Sequence, residues 1–594
     1  MNDHRQNLKQ KQNQLFLFFI VAFAILASRF FYLQIYRQEQ YLRASENNRI
    51  REVILKPNRG LIFDRNGRVL VDNHAAYDVF VVPFEVQKRD SVLRLTAKIL
   101  SKTVDDLKAR IKKKQIGLFN PVAVQSFVDF ETLSKIEEHK LELPGVGIQV
   151  VPRRFYPDSA NAAHLLGYVG EVTRDELKNG NYSNVRIGDF VGKRGLEKFY
   201  DQILRGKPGR KYAEVDALGR EVRTLTDRPE IPPVPGKNLH LSLDARLQRM
   251  IELKMENKAG AVVVVNCKNG EILALVSKPD YPERIFSEAI APEQWQKITS
   301  DPRKPLFHRA VQSLYPPGST YKLVLAAAAL ENGVEPFSKK FNCMGAFQLG
   351  RKSYACWKPE GHGNLNLYGA IEQSCNVYFY QLGLETGIEK WAEYSKKLLF
   401  PQRTGIDLPD ESSGVIPDRD FLDKKYGKNR WSKGLILNQV IGQGDVLVSP
   451  LQMARLAMII ANRGEFFPFH LLHYIEDPLT GEKKILTHKS DHVVGISDRT
   501  FEVLRQAMWR VVNGDNGTAK AARVWGIEVA GKTGTAENPH GEPHAWFIGF
   551  APYEDPEIAM SIIVENGGSG GRTAAPIARE IVRTYFSSEF RNVE

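Results

Sequence analysis

An α+β chain of several domains, carrying one membrane-spanning helix near its N-terminus, is predicted by three observations. The first 36 residues hold a single long apolar run, the chain after it changes texture near residue 235, and its 594 residues, 43% of them hydrophobic, exceed what one core organises.

Leu15 to Ile35 is almost wholly apolar and follows a short head with Arg5, Lys9 and Lys11. A helix of about 21 residues reaches about 30 Å, enough for the hydrocarbon layer, with Arg29 snorkelling toward an interface. The basic head predicts a cytoplasmic N-terminus and an exported remainder. Ala22-Phe23-Ala24 has the form of a signal-peptidase site, but the apolar run continues through Phe31, so an uncleaved anchor is expected. No other stretch approaches a membrane span, which makes the expected protein single-pass.

The charge balance, 82 Lys+Arg against 69 Asp+Glu for a net +13, is spread along the chain with only short basic runs such as Lys112-Lys113-Lys114. It gives no support to a nucleic-acid partner and fits a solvated basic surface, or attraction to anionic lipid or an acidic substrate. Four cysteines do not make a disulfide-dense scaffold.

The expected organisation is a head at 1–14, an anchor at 15–35, an α+β module at 36–235 and a second domain at 236–594. The first module alternates short apolar strands, such as Tyr77 to Pro83 and Val146 to Val151, with helical patterns such as Ser91 to Lys114. It clusters no titratable residues at motif spacing, so it reads as a stalk or docking platform. Pro229 to Pro235 reads as a stiff linker. Beyond it, Ala261–Asn266 and Glu271–Val276 flank Asn269-Gly270 as a long antiparallel hairpin. Further strands are expected at Trp525–Ala530, Ala545–Ala551 and Ile558–Val564, then a helix over Ala574–Phe586. A mostly helical block separates these strands, so both ends of the domain must meet around it.

The chemistry concentrates in Tyr315-Pro-Pro-Gly-Ser319-Thr-Tyr-Lys322, which opens the apolar run Leu323 to Leu330 and closes at Asn332-Gly333. This predicts a buried helix whose first turn puts Ser319 and Lys322 on one face, an amine beside a hydroxyl. A serine there is by itself most often a cap. Two further motifs alter the weighing: Ser374-Cys375-Asn376, followed by Tyr378-Phe379-Tyr380, and Lys532-Thr533-Gly534-Thr535 at the end of the strand from Trp525. Ser-x-Asn alone is weak, as the copy Ser45-Glu46-Asn47 beside the anchor illustrates. Ser-x-x-Lys, Ser-x-Asn and Lys-Thr-Gly in this order, after a β-hairpin and before two more strands, form a specific constellation.

With these residues the chain resembles the penicillin-binding proteins, over nearly its whole length. Arg59-Gly-Leu-Ile-Phe-Asp-Arg-Asn-Gly67 resembles the signature that opens the extracytoplasmic pedestal of class B members. Gly195-Leu-Glu-Lys-Phe-Tyr200 and Ala261-Val-Val-Val-Val resemble later segments. No segment resembles a glycosyltransferase. The resemblance implies a pedestal (dimerisation-type) domain followed by a transpeptidase domain of the serine β-lactamase-like fold, an antiparallel sheet with helices. It implies D,D-transpeptidation of peptidoglycan stem peptides during cell-wall elongation and shape maintenance, and covalent inhibition by β-lactams. Ser319 is then the nucleophile and Lys322 takes its proton. Ser374 and Lys532 relay protons to the leaving D-alanine, and Asn376 bonds the substrate amide. Thr533, Gly534 and Thr535 line the carboxylate site, with the Ser319 and Thr535 N–H groups as oxyanion hole. Implied partners are a glycan polymerase of the shape, elongation, division and sporulation (SEDS) family and other elongation-complex proteins.

Cys343, Cys356, His362 and Cys375, spaced Cys-x12-Cys-x5-His-x12-Cys, are candidate ligands of one structural zinc. A Cys343–Cys356 disulfide or buried free thiols are the alternatives. With Ser374 and Asn376 facing a cleft, Cys375 should point behind them. No organic cofactor is expected.

Two alternative readings keep this fold. A D,D-carboxypeptidase uses the same residues, and a β-lactam sensor or scaffold would keep the fold without turnover. Gly567-Gly-Ser569-Gly-Gly571 matches a nucleophile elbow, yet no histidine follows it, so it reads as a flexible turn.

Overall fold

The computed structural model describes residues 2–39, 50–86, 89–115, 117–118, 120–157, 161–180, 182–215, 221–225, 229–286, 290, 292–334, 339–428 and 430–587. Ser45-Glu46-Asn47 lies outside the described residues. Asn2–Phe31 is helical and continues as a π-turn over Tyr32–Tyr36. Within this run Asn13–Tyr36 is long and apolar enough to cross a membrane. Arg29 and Arg37 lie 5.5 and 5.3 Å from the ring centre of Tyr32, an aromatic–basic group of the kind that marks a membrane interface.

The chain folds into two compact units, and the division is not a single cut: residues 58–76 and 150–206 cluster with residues 235–594. The smaller unit, residues 1–57, 77–149 and 207–234, contains an antiparallel sheet of Ile50–Leu55, Gly209–Val215 and Glu221–Thr224. A separate core gathers Val79, Val81, Leu93, Leu107, Val122, Val124 and Ile136. The helical pattern from Ser91 to Lys114 is two helices, Asp90–Ile99 and Val104–Lys114. They part where Ser101 takes φ +52° and Thr103 forms a capping box with Asp106. The proline-rich stretch is pinned and does not hang free, because Ile231 and Val234 bridge to Arg210 and Lys207.

The larger unit is built on a five-stranded antiparallel sheet. Its strands are β1 (Gly260–Asn266), β2 (Ile272–Lys278), β3 (Ala530–Ala536), β4 (His544–Ala551) and β5 (Ile558–Val564), in the order β2-β1-β5-β4-β3. The predicted hairpin is present, with Val262 opposite Val276. Val262 also pairs with Ile562, so strands from both ends of the domain meet at the centre. Every residue of β5 is buried, which requires cover on both faces of the sheet. Pro450–Ala461, buried at all twelve positions, packs against β1, β4 and β5, and Gly570–Tyr585 against β3, β4 and β5.

Two expectations near the C-terminus shift. The strand read over Trp525–Ala530 is instead Ala530–Ala536, so Lys532-Thr-Gly lies within it. Trp525 is fully exposed and Gly526 has φ +78°, the marks of a turn. The strand runs through two glycines because neighbours fill their side-chain space: a Cβ at Gly531 would fall 2.3 Å from Phe547, and one at Gly534 would fall 2.9 Å from the Pro317 carbonyl. Likewise the final helix begins at Gly570, inside the stretch expected to be a flexible turn, with Ser569 as its N-cap residue. A Cβ at Gly570 would sit 2.2 Å from the Trp546 carbonyl oxygen, so glycine is what lets this helix start against the sheet.

Within the larger unit, residues 58–76 and 150–206 are joined to each other by a buried charge cluster. Arg59 donates to Glu197 at 2.6 Å and to Asp201 at 2.8 Å, and Arg154 donates to the other Glu197 oxygen at 2.7 Å. Glu197 is fully buried, so its charge depends on these partners.

Candidate active site and metal-ligand cluster

The nucleophile motif folds as a 3-10 turn, Gly318–Tyr321, that runs directly into helix Lys322–Glu331. Helix residues Lys322 to Ala329 are all buried, as an unbroken apolar run requires, and Asn332-Gly333 ends the helix as expected. Ser319 is half-buried at the turn. The turn packs against the edge strand β3: a Cβ at Gly318 would lie 3.0 Å from the Thr535 carbonyl oxygen. The Gly318 N–H donates to the Gly442 carbonyl at 2.8 Å, and the neighbouring Gln443 amide donates to the Thr535 carbonyl at 3.4 Å. The segment Gly442-Gln443-Gly444 thus ties turn to strand, a role its two glycines alone did not announce.

Both lysines of the constellation are fully buried and converge on Ser374. The Lys322 amine donates to the Ser374 carbonyl at 2.8 Å and to Asn376 Oδ1 at 2.7 Å, and lies 3.5 Å from Ser374 Oγ. The Lys532 amine donates to Ser374 Oγ and to the Thr533 carbonyl, each at 2.9 Å. Because Asn376 Oδ1 faces Lys322, its amide N–H₂ remains for another partner. Burial pushes the Lys322 amine down to about 8. Lys532 falls well below the ordinary lysine value, first from burial and then from the neighbouring Lys322 charge.

Thr533 is buried with its hydroxyl 2.7 Å from that of Thr518, whereas Thr535 is exposed along the edge of β3. Thr518 was not singled out from the sequence, where nothing distinguishes it. Ser374 adopts φ +55°, a left-handed conformation that a serine holds only under local constraint. Cys375 follows as the N-cap of helix Asn376–Thr386 and accepts from the Tyr378 N–H at 3.4 Å, so it turns behind the two cleft residues.

There it joins Cys343, Cys356 and His362, whose potential ligand atoms all lie within 4.8 Å of one another. His362 Nδ1 is 3.5 Å from the sulfurs of both Cys343 and Cys356. A tetrahedral zinc with bonds of about 2.3 Å to sulfur and about 2.0 Å to nitrogen has an S···N edge of about 3.5 Å, so the donor set fits that ion. All four cysteines of the chain are free thiols, and Cys343 and Cys356 form no disulfide. Beside this cluster, the Trp357 indole N–H reaches the Gln373 and Ser374 carbonyls at 3.0 and 3.2 Å.

Comparison with known proteins covers both halves of the chain. Residues 54–241 match the penicillin-binding protein dimerisation domain and residues 260–583 the penicillin-binding protein transpeptidase domain. The peptidoglycan D,D-transpeptidase MrdA of Acinetobacter baumannii is 34% identical over 96% of this chain and 87% of its own length. The Escherichia coli protein of the same name is 32% identical over 93% and 90%. Among solved structures, PBP2 of Helicobacter pylori, in its complex with MreC, superimposes with a TM-score of 0.78 at 31% identity, covering 90% of this chain and 98% of the other. PBP2 of Pseudomonas aeruginosa in complex with WCK 5153 does so with a TM-score of 0.67 at 27% identity, covering 91% and 98%.

Proposed function

This chain belongs to the class B penicillin-binding proteins and is a serine-type peptidoglycan D,D-transpeptidase, and from that premise we propose how its residues divide the work. The observation that carries the assignment is the convergence of Lys322 and Lys532 on Ser374, beside a serine-bearing turn that abuts the edge of β3.

Ser319 Oγ attacks the carbonyl between the two terminal D-alanines of a stem peptide while Lys322, whose free amine is accessible near neutral pH, takes the hydroxyl proton. The C–N bond breaks, the Ser319 ester remains, and D-alanine departs after its nitrogen receives a proton passed through Ser374 from the lysine pair. The Asn376 amide N–H₂ holds a substrate carbonyl. The backbone N–H groups of Ser319 and Thr535 face the developing oxyanion, and Thr533 to Thr535 receive the terminal carboxylate. The open edge of β3 accepts the donor peptide as an added strand. An amine of a second stem peptide then attacks the ester and restores the serine, whereas attack by water would make the chain a carboxypeptidase.

The helix Asn13–Tyr36 serves as a single membrane anchor, with the basic head inside and the catalytic domain outside. The enzyme works in cell-wall elongation with a SEDS-family polymerase and other elongation-complex proteins. Support for this comes from the H. pylori relative, solved with MreC, and from a peptidoglycan synthase complex that covers 97% of this chain at a TM-score of 0.70. The cluster Cys343, Cys356, His362 and Cys375 would hold one zinc, which when bound braces the loop carrying Ser374 and Asn376.

Labelling by fluorescent penicillin, with cross-linking of lipid-linked substrate by full-length protein plus polymerase, tests the assignment. Ser319→Ala should abolish both with an unchanged melting temperature. Wild-type labelling in that variant would place the nucleophile elsewhere.

A further inference from the structure

Trp357 presents a contradiction that burial does not resolve. A large aromatic side chain usually contributes by leaving water, yet this one is 56% exposed. Its polar end, in contrast, is fully engaged: the indole N–H is divided between the Gln373 and Ser374 carbonyl oxygens. Its ring meets His362 edge to face at 5.2 Å.

The Ser374 carbonyl is the acceptor that matters, because it takes a second donor, the Lys322 amine at 2.8 Å. The same residue is held in the left-handed region at φ +55°, while its hydroxyl meets Lys532. Backbone bonds hold the N–H side of this turn, from Ser374 to Ile371 at 3.2 Å and from Cys375 to Ala370 at 2.9 Å, while the Ser374 carbonyl accepts from the Trp357 indole and the Lys322 amine. A flip of the peptide between Ser374 and Cys375 would break the Cys375 N–H bond to Ala370, turn the carbonyl away and leave the Lys322 amine without that partner. An indole donor on a rigid side chain, itself carried one residue after Cys356, resists this flip.

We propose that Trp357 is a positioning residue for acylation: its indole N–H fixes the Ser374 carbonyl and so holds Ser374 Oγ and the Lys322 amine in register with each other. The proposal deepens the reading of Ser319, Lys322 and Ser374 given above and rests on it. It assigns Trp357 no contact with substrate and no part in metal binding.

The test compares full-length wild-type protein with Trp357→Phe, which keeps a smaller aromatic ring at this position and deletes the donor, and with Trp357→Ala. Stopped-flow labelling with fluorescent penicillin separates the non-covalent dissociation constant from the acylation rate constant. Loss of one shared neutral hydrogen bond predicts acylation about three- to tenfold slower in Trp357→Phe. The dissociation constant, melting temperature and metal content measured by mass spectrometry should be unchanged. Trp357→Ala should show at least the same loss of rate. Acylation of Trp357→Phe at the wild-type rate would overturn the proposal. So would a loss of rate that appears only together with lost metal or a lowered melting temperature, since the indole would then serve the loop as a whole. Ser319→Ala, run alongside, separates the two readings: persistent labelling there would refute the nucleophile assignment whatever Trp357→Phe does.

Discussion

Raising the pH should stabilise the folded protein through Lys322, and Lys322→Met should remove that gain. The amine is fully buried, and burial lowers it from the ordinary 10.5 to about 8. Between these values the unfolded chain holds a proton that the folded protein has released, so stability rises with pH across this window and is lost as pH falls toward 8. At 1.36 kcal/mol per pH unit the whole effect is about 3 kcal/mol, of which about 2 kcal/mol falls between pH 8 and pH 10. Lys532 is also lowered well below the ordinary lysine value, first by burial and then by the Lys322 charge. Lys322→Met removes that charge as well, so the difference between the two proteins reads Lys322 together with its effect on Lys532. Urea unfolding of wild type and variant at pH 8 and pH 10 measures the difference. Equal gains in the two proteins would refute the buried, neutral amine. The acylation rate of wild type should rise with pH through about 8, because the free amine is the form that accepts the Ser319 proton.

Purified protein should contain close to one zinc per chain with unoxidised thiols, and chelation or His362→Ala should lower both melting temperature and acylation rate; a metal-free protein with a mapped Cys343–Cys356 bridge would exclude the site. Arg59→Met should destabilise the larger unit by about 3–5 kcal/mol in denaturant titration, because Asp201 loses its shorter contact and Glu197 keeps only Arg154. A change under 1 kcal/mol there would mean that the cluster is neutralised or hydrated.

What the sequence discloses depends on how local the signal is. Ser319 and Lys322 lie within one turn, and the hairpin of β1 and β2 carries its own Asn-Gly, so both are readable from a few consecutive residues. The convergence of the three motifs was legible only as order along the chain, since Lys532 reaches Ser374 through a sheet whose pairing no local pattern encodes. The strand carrying Lys-Thr-Gly lies further along than the local pattern indicates because Ala, Gly and Lys, five of its seven residues, are depleted in strands, and tertiary packing of Phe547 and Pro317 over its glycines decides the matter. The cysteine cluster could be suspected from composition, but its closeness to the catalytic loop follows from Cys375 lying between Ser374 and Asn376. Trp357, Gln443 and Thr518 act through a single polar group each, and such residues leave no mark in spacing or periodicity.

The position of β5 sets when this enzyme can first exist. β1 is made early in its domain, yet its partner across the middle of the sheet begins only at Ile558, and β3 hangs from that sheet through β4. The nucleophile turn, Ser374 and the four metal-ligand candidates all leave the ribosome before any of these late strands. Until those strands arrive nothing sets Lys532 opposite Ser374, and closing so distant a pairing is slow for a chain emerging from one end. A polypeptide halted before Ile558 would therefore carry every reactive group named above without the central strand that completes the sheet holding Lys532.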